Sequence, residues 1–244
     1  MAIINQVVSG GGAAPATQYG VNLKGWCGDV DTNTGVFRTD QAVGTLSIPT
    51  LTGITIHQFE NKFYGSVGLT GVVDLSAVVS IDDYGMSYAF AGTSITGVNL
   101  QSLQIASNEA LSSAFSNTNI TSLEIPLISL GGSAIFNNMC ANCSQLRNVY
   151  LYIESSAFLQ FVDDNGVEPD GAIGDMFYFM INGCSNCVVH FYIDFGNDVI
   201  QWYTDNGLES PWADESEVAE YIAGMMHENP SGSNCSVAFD VDPT

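Results

Sequence analysis

The sequence predicts a β-rich α+β fold: a solenoid of about five coils over residues 51–193, with short helical turns and a C-terminal helix-strand cap. Three observations carry that expectation. First, a short phrase recurs: Leu69-Thr70-Gly71-Val72-Val73-Asp74-Leu75 returns as Ile95-Thr96-Gly97-Val98-Asn99-Leu100, as Ile120-Thr121-Ser122-Leu123-Glu124-Ile125 and as Leu146-Arg147-Asn148-Val149-Tyr150-Leu151, and Leu51-Thr52-Gly53-Ile54-Thr55-Ile56 is an earlier copy. Second, Phe90-Ala91-Gly92-Thr93-Ser94, Phe115-Ser116-Asn117-Thr118-Asn119 and Cys140-Ala141-Asn142-Cys143-Ser144 precede successive restarts at a spacing of 25 residues. Self-similarity at a period of about 20–50 residues is the signature of a repeat array. Third, the apolar residues of each phrase, such as Ile95, Val98 and Leu100, fall on one side of a strand. One unit alone leaves that apolar edge in water, so units must stack, with like residues forming columns through the core.

Taken in order, residues 1–20 form an arm and a Gly-rich linker, 21–50 an N-terminal capping region, 51–193 the repeats and 194–244 a C-terminal cap. Ser9 to Gly20 has the composition of a flexible tether. It carries a short apolar arm whose Ile3, Ile4, Val7 and Val8 are the candidate assembly residues. An arm this short buries its faces either on its own fold or as a strand donated to a neighbouring subunit. Asp29-Val30-Asp31-Thr32-Asn33-Thr34-Gly35 has the alternating oxygens of a calcium loop, but its Gly stands one place late and no bidentate Glu follows, so it reads as a polar turn.

Within the repeats, a second short strand phrase follows the first, at Leu103 and Ile105 and again at Ile128 and Leu130. A stretch with helical spacing then ends on a bulky residue, as in Ala110-Leu111-Ser112-Ser113-Ala114-Phe115. Outward residues of the first strands, Thr55, Asp74, Asn99, Glu124, Tyr150 and Tyr192, are expected to form a column about 4.8 Å from unit to unit. Its aromatic end, Tyr150 and Tyr192, is the candidate contact surface, because Tyr is favoured at interfaces. Met139 to Met180 spans 41 residues, which places an insertion within 155–174. Insertions in repeat arrays emerge as loops on one face, often the binding face, and this one offers Asp163 and Asp164. A last repeat strand runs from Val189 to Ile193. Ser210-Pro211 then opens a helix by cap and first-turn proline, with Val218, Tyr221, Ile222 and Met225 as its apolar stripe, and a strand from Ser236 to Val241 ends the chain.

The charge balance excludes whole classes of function. Lys and Arg number 4 against 26 Asp and Glu in 244 residues, a formal net charge of −22. Nucleic acid and anionic membrane both need Lys/Arg clusters, so neither is an expected partner. No apolar run approaches the ~20 residues of a membrane span. The N-terminus lacks the basic residues of a secretory signal, which leaves a cytoplasmic protein or one carried out on a particle.

Cys140-x-x-Cys143 and Cys184-x-x-Cys187 have the spacing of a four-thiolate zinc site. The repeat register explains them otherwise. Cys140 stands where Phe90 and Phe115 stand, Cys143 and Cys184 take the corner of Thr93 and Thr118, and Cys187 falls at or beside the place of Leu146. The expectation is core packing with no metal and no cofactor, leaving free thiols or a Cys143–Cys184 disulfide as alternatives. His57, His190 and His227 lie in no nucleophile motif, and there is no phosphate loop or dinucleotide fingerprint, so no catalytic residue and no enzyme activity is expected.

Residues 51–193 resemble the BspA-like leucine-rich repeat family. The resemblance lies in Ala89-Phe90-Ala91-Gly92-Thr93-Ser94-Ile95-Thr96-Gly97-Val98, in Ala114-Phe115 through Ile125-Pro126, and in Asn142-Cys143-Ser144-Gln145-Leu146, with Thr for the family's Cys in two copies. It implies a leucine-rich-repeat-type solenoid and a surface or adhesion role. The start, Met1-Ala2-Ile3-Ile4-Asn5-Gln6-Val7-Val8-Ser9-Gly10-Gly11-Gly12, is similar to the starts of virion proteins of tailed, crAss-like gut bacteriophages. That resemblance implies a virion structural protein, present in multiple copies or as a homo-oligomer, anchored to other virion proteins by the arm and touching host surface glycan or protein. The alternative is a bacterial cell-surface adhesion protein.

Overall fold

Three parallel sheets and four α-helices enclose a single core among the residues described by the structure, a computed structural model covering 17–18, 45–48, 51–127, 129–227 and 234–241. The first sheet orders β1 (Thr17–Gln18), β2 (Leu46–Ser47), β4 (Thr70–Asp74) and β6 (Ser94–Asn99). The second runs β12 (Ser236–Val241), β11 (Val188–Tyr192), β10 (Asn148–Ile153) and β8 (Ser122–Leu127). The third runs β3 (Gly53–Ile54), β5 (Ser80–Ile81), β7 (Ile105–Ser107) and β9 (Ser129–Gly131). The helices are α1 (Ser155–Asn165), α2 (Pro169–Phe177), α3 (Phe195–Asp205) and α4 (Glu215–Met226).

This corrects the expected fold class. The chain is α/β, with every described strand pair parallel, and not a β-rich α+β, leucine-rich-repeat-type solenoid of about five coils. The largest difference lies after Ile153. The insertion expected as a loop is instead α1 and α2, because Phe158, Phe161 and Val162 repeat at helical spacing and are buried. Asp163 and Asp164 therefore sit at the end of α1, which closes on Gly166 in the left-handed region (φ 62°) with its N–H on the Asp163 and Val162 carbonyls. Helix α3, with Phe195, Val199 and Tyr203 buried, was not anticipated. Helix α4 starts at Glu215 and not at Pro211, because the Asp214 carboxylate accepts from the N–H groups of Ser216 and Glu217. The arm residues Ile3, Ile4, Val7 and Val8, and the polar turn at 29–35, lie outside the described residues.

The 25-residue spacing does act as a pairing register. Asp74 stands beside Asn99 and Ser80 beside Ile105, each 25 residues on, while Tyr150 stands beside Glu124 at a separation of 26. The column expected outward is different in membership. Ser47, whose Oγ donates to Asp74 Oδ2 at 3.0 Å, occupies the first place; Thr55 lies past the end of β3, in the third sheet, and leaves the column. Tyr150 is flanked by His190 and not by Tyr192.

Between the third sheet and the next restart, the expected helical turns are replaced by an unusual ladder. From Tyr84 to Thr93, alternate N–H groups bond back three residues: Gly85 to Asp82, Ser87 to Tyr84, Ala89 to Met86 and Ala91 to Tyr88. The N–H groups in between reach the following unit: Tyr84 to Asn108, Met86 to Ala110, Tyr88 to Ser112, Phe90 to Ala114 and Gly92 to Ser116. The arrangement demands a left-handed residue at every fourth place. Tyr84, Tyr88 and Gly92 are followed one unit on by Glu109, Ser113 and Asn117, and then by Ala134, Asn138 and Asn142. An L-residue there costs roughly 1–2 kcal/mol. The lateral hydrogen bonds, each contributing about 1 kcal/mol net, offset it and satisfy backbone that would otherwise be buried unpaired.

The side chains under this ladder form the centre of the core. Phe63, Phe90 and Phe115 stack, with ring centroids 5.1 and 6.1 Å apart, and all three are fully buried. Cys140 continues the column: Phe115 N–H bonds to the Met139 carbonyl, as Phe90 N–H bonds to Ala114. At the corner, the Thr93 and Thr118 hydroxyls donate to the Phe90 and Phe115 carbonyls at 2.7 Å. Cys143 sits beside Thr118, its Sγ 3.0 Å from the Phe115 carbonyl, and Cys184 Sγ lies 3.3 Å from the Cys140 carbonyl. Cys140, Cys143, Cys184, Cys187 and Cys235 are all free thiols.

Candidate functional site

The second sheet presents the most distinctive surface. Its strands are buried on one side through Leu123, Ile125, Val149, Leu151, Ile153, Val189 and Phe191. Alternation then sends Glu124, Asn148, Tyr150, Tyr152, His190 and Tyr192 to the other side, half-buried except for the exposed Glu124. Tyr150 and His190 are paired in register, and their rings stack at 4.5 Å and 13°. Tyr152 lies 6.3 Å from Tyr150 and meets Tyr192 edge-on at 6.2 Å.

One irregularity completes the face. Between Phe191 and Tyr192 the pairing with β12 shifts, so that Tyr192 stands beside Val241 and Asp240 is left over. A bulge of this kind re-aims a side chain. Asp240 Oδ1 lies 2.8 Å from His190 Nδ1, while Asn148 Oδ1 lies 3.2 Å from His190 Nε2. The imidazole is thereby fixed from both sides and holds Tyr150 against it. Burial, with Glu124 nearby, raises the Tyr152 hydroxyl above its usual range, and burial with Glu154 does the same for Tyr192. Both remain neutral O–H groups at physiological pH. The face offers aromatic edges and hydroxyls inside a rim of carboxylates.

Of the candidate residues, Tyr150 and Tyr192 share this face. Asp163 and Asp164 do not: α1 packs against β9 of the third sheet. Asp163 Oδ1 accepts from Trp202 Nε1 at 2.9 Å, joining α1 to α3, and Asp164 Oδ1 accepts from Gln160 Nε2 at 2.8 Å. Asp164 also lines a shallow cleft of about 330 Å³ with Ser129, Leu130, Gly131 and Phe161. Sequence reading missed Tyr152, His190 and Asp240. The signal for the first two was present, since Asn148-x-Tyr150-x-Tyr152 and Val188-x-His190-x-Tyr192 alternate along adjoining strands. Asp240 required knowledge of the bulge.

The thiols form the other cluster of reactive groups. Burial pushes Cys184 up to about 12, and Cys140 and Cys187 well above the usual thiol range. Cys143 is pulled down to about 7 by hydrogen bonds from Cys140 and Thr118. Among the described residues no group of three or more His, Cys, Asp or Glu is placed to hold a metal ion, and no helix is long and apolar enough to cross a membrane. No family model, no curated protein and no solved structure matches the chain.

Proposed function

We propose that this chain is a non-catalytic binding protein that works through the outward face of the second sheet, as a displayed structural component of a bacteriophage capsid or tail. In this reading, the N-terminal arm (Ile3, Ile4, Val7, Val8) ties the chain to other virion proteins, and the face of Tyr150, Tyr152, His190 and Tyr192 touches host surface glycan or protein. The observation that carries it is the aromatic row itself: three tyrosines and an imidazole on one sheet face, with the Tyr152 and Tyr192 hydroxyls kept neutral by burial. Tyr combines large contact area with little side-chain entropy to lose, which is why it recurs at the centres of interfaces. The similarity of residues 1–12 to phage virion proteins supports the setting.

Two measurements test the proposal separately. Quantitative mass spectrometry of purified particles should find the chain at a fixed copy number, and deletion of residues 1–12 should remove it; particles that never contain the chain would sink the virion assignment. A Tyr150→Ser, Tyr152→Ser, Tyr192→Ser variant should keep its place in particles and lose attachment to host cells. Unchanged attachment would sink the binding face. A second reading, a bacterial cell-surface adhesion protein, is favoured by the Ala114–Pro126 phrase; there, deletion of residues 1–12 would leave cell binding intact.

A further inference from the structure

We infer that Cys187 and Cys235 are the two halves of a disulfide staple that closes under oxidising conditions and pins the start of β12 to β11. The register places them. Val188 pairs with Ser236, and the Ser236 N–H bonds to the Cys187 carbonyl at 3.0 Å, so the preceding residues, Cys187 and Cys235, also lie side by side. Lateral neighbours in a sheet are about 4.8 Å apart. That is inside the ~4.4–6.8 Å that the Cα atoms of a disulfide span. Cys235 Sγ already lies 3.4 Å from the Cys187 N–H.

In the reduced chain Cys235 Sγ lies 3.4 Å from the Cys184 carbonyl and Cys187 Sγ 3.8 Å from the Val188 carbonyl, so closure turns both side chains about their Cα–Cβ bonds. Cys143 and Cys184 direct their sulfurs to carbonyls of the preceding unit, at Phe115 and Cys140, and Cys140 is fully buried. Cys235 alone among the described cysteines is only partly buried, so a dissolved oxidant meets it first. With a small disulfide such as oxidised glutathione, the Cys235 thiolate attacks one sulfur, the glutathione S–S bond breaks, and one glutathione thiol leaves. Cys187 then gives its proton to solvent and attacks the Cys235 sulfur, expelling the second glutathione thiol. Two protein thiols are oxidised to one disulfide, and one glutathione disulfide is reduced to two thiols. Burial holds the Cys187 proton tightly, so the closing step is slow near neutrality and accelerates as pH rises.

The link would matter at that place because, among the described residues, β11 is the only strand paired with β12. It encloses α3 and α4 in one covalent loop. The test uses the full chain, incubated with oxidised glutathione in mildly alkaline buffer, quenched with an alkylating agent and digested. Expected are a Cys187–Cys235 linked peptide, a loss of two hydrogens from the intact mass, and a melting temperature raised by several degrees. Cys235→Ser, at a partly exposed site, should fold, form no such link and show no rise. Full alkylation of both cysteines after oxidation, glutathione left standing on Cys235, or a Cys143–Cys184 link in its place would each overturn the inference.

Discussion

The 25-residue units between Leu69 and Ser144 and the part of the chain beyond them are built on the same pairing rule but put different residues to use. In the first region each unit repeats its neighbour, the core column is Phe on Phe, and the left-handed ladder runs unbroken. In the second, Met139 and Met180 are 41 residues apart, helices α1 to α4 interrupt the strands, and the outward residues become Tyr and His. Repetition yields geometry; departure from it yields a surface unlike its neighbours. The tyrosines of the face and three of the five described free thiols, Cys184, Cys187 and Cys235, share that location.

Replacing core and face residues should separate the two regions most sharply. Phe90→Ala removes the middle of the ring column and should cost about 3–5 kcal/mol in urea unfolding, whereas Tyr152→Ala on the half-buried face should cost roughly 1 kcal/mol. Comparable losses would mean that the face is structural. The corners give the next largest contrast. Gly65 (φ 71°) has open space where a Cβ would project, so Gly65→Ala should cost only the backbone term, about 1 kcal/mol. Gly183 (φ 77°) holds the matching corner beside the interruption, and its Cβ would fall 2.2 Å from Asn142 Oδ1 and 3.3 Å from Asn142 Cα. Gly183→Ala should therefore cost roughly twice as much, by the same measurement.

Alkaline titration reaches both regions, but the interrupted one through more groups: Tyr84 and Cys140 are raised in the first, and Tyr152, Cys184, Cys187, Tyr192, Tyr203 and Tyr221 in the second. Burial raises Cys184 from 9.0 to about 12, and it raises Tyr203 above its usual 10.0. A raised pKa contributes stability in full below the unfolded value and loses it as pH climbs to the folded one. Stability should then fall above pH 9, and Cys184→Ala should flatten part of that fall when urea midpoints are compared across roughly pH 8 to 11. A steeper fall in the variant would reverse the assignment. The smallest expected effect is at Trp202→Phe, which deletes the exposed hydrogen bond to Asp163 and should change unfolding free energy by no more than about 0.5 kcal/mol.

Part of this is legible in the sequence, and the misses, the fold class first among them, have physical reasons. The final strand, Ser236 to Val241, was placed to the residue because its alternation is bounded by polar residues. The corner roles of Thr93, Thr118, Cys143 and Cys184 followed from register alone. Helix α1 was hidden because Asp163-Asp164-Asn165-Gly166 looks like a loop, although that stretch is a helix end. Helix α3 carried a readable stripe at Phe195, Val199 and Tyr203, but it follows β11 so closely that the strand signal covers it. The left-handed ladder was not legible at all. Tyr84, Tyr88, Glu109 and Ala134 have no intrinsic liking for φ near 55°, and only the bonds to the adjoining unit hold them there. The face on the second sheet was half legible, since Tyr150 and Tyr192 were named while the bulge that brings in Asp240 leaves no sequence mark.

The hydrogen bonds between units all run crosswise to the strands, so a load applied along the stack would not be shared among them. It would peel the outermost unit first and then the next, as a zipper opens. Each 25-residue unit would release about 80–90 Å of chain, at the ~3.3–3.6 Å that an extended residue spans. The longer interval at 139–180 would give way in a larger step.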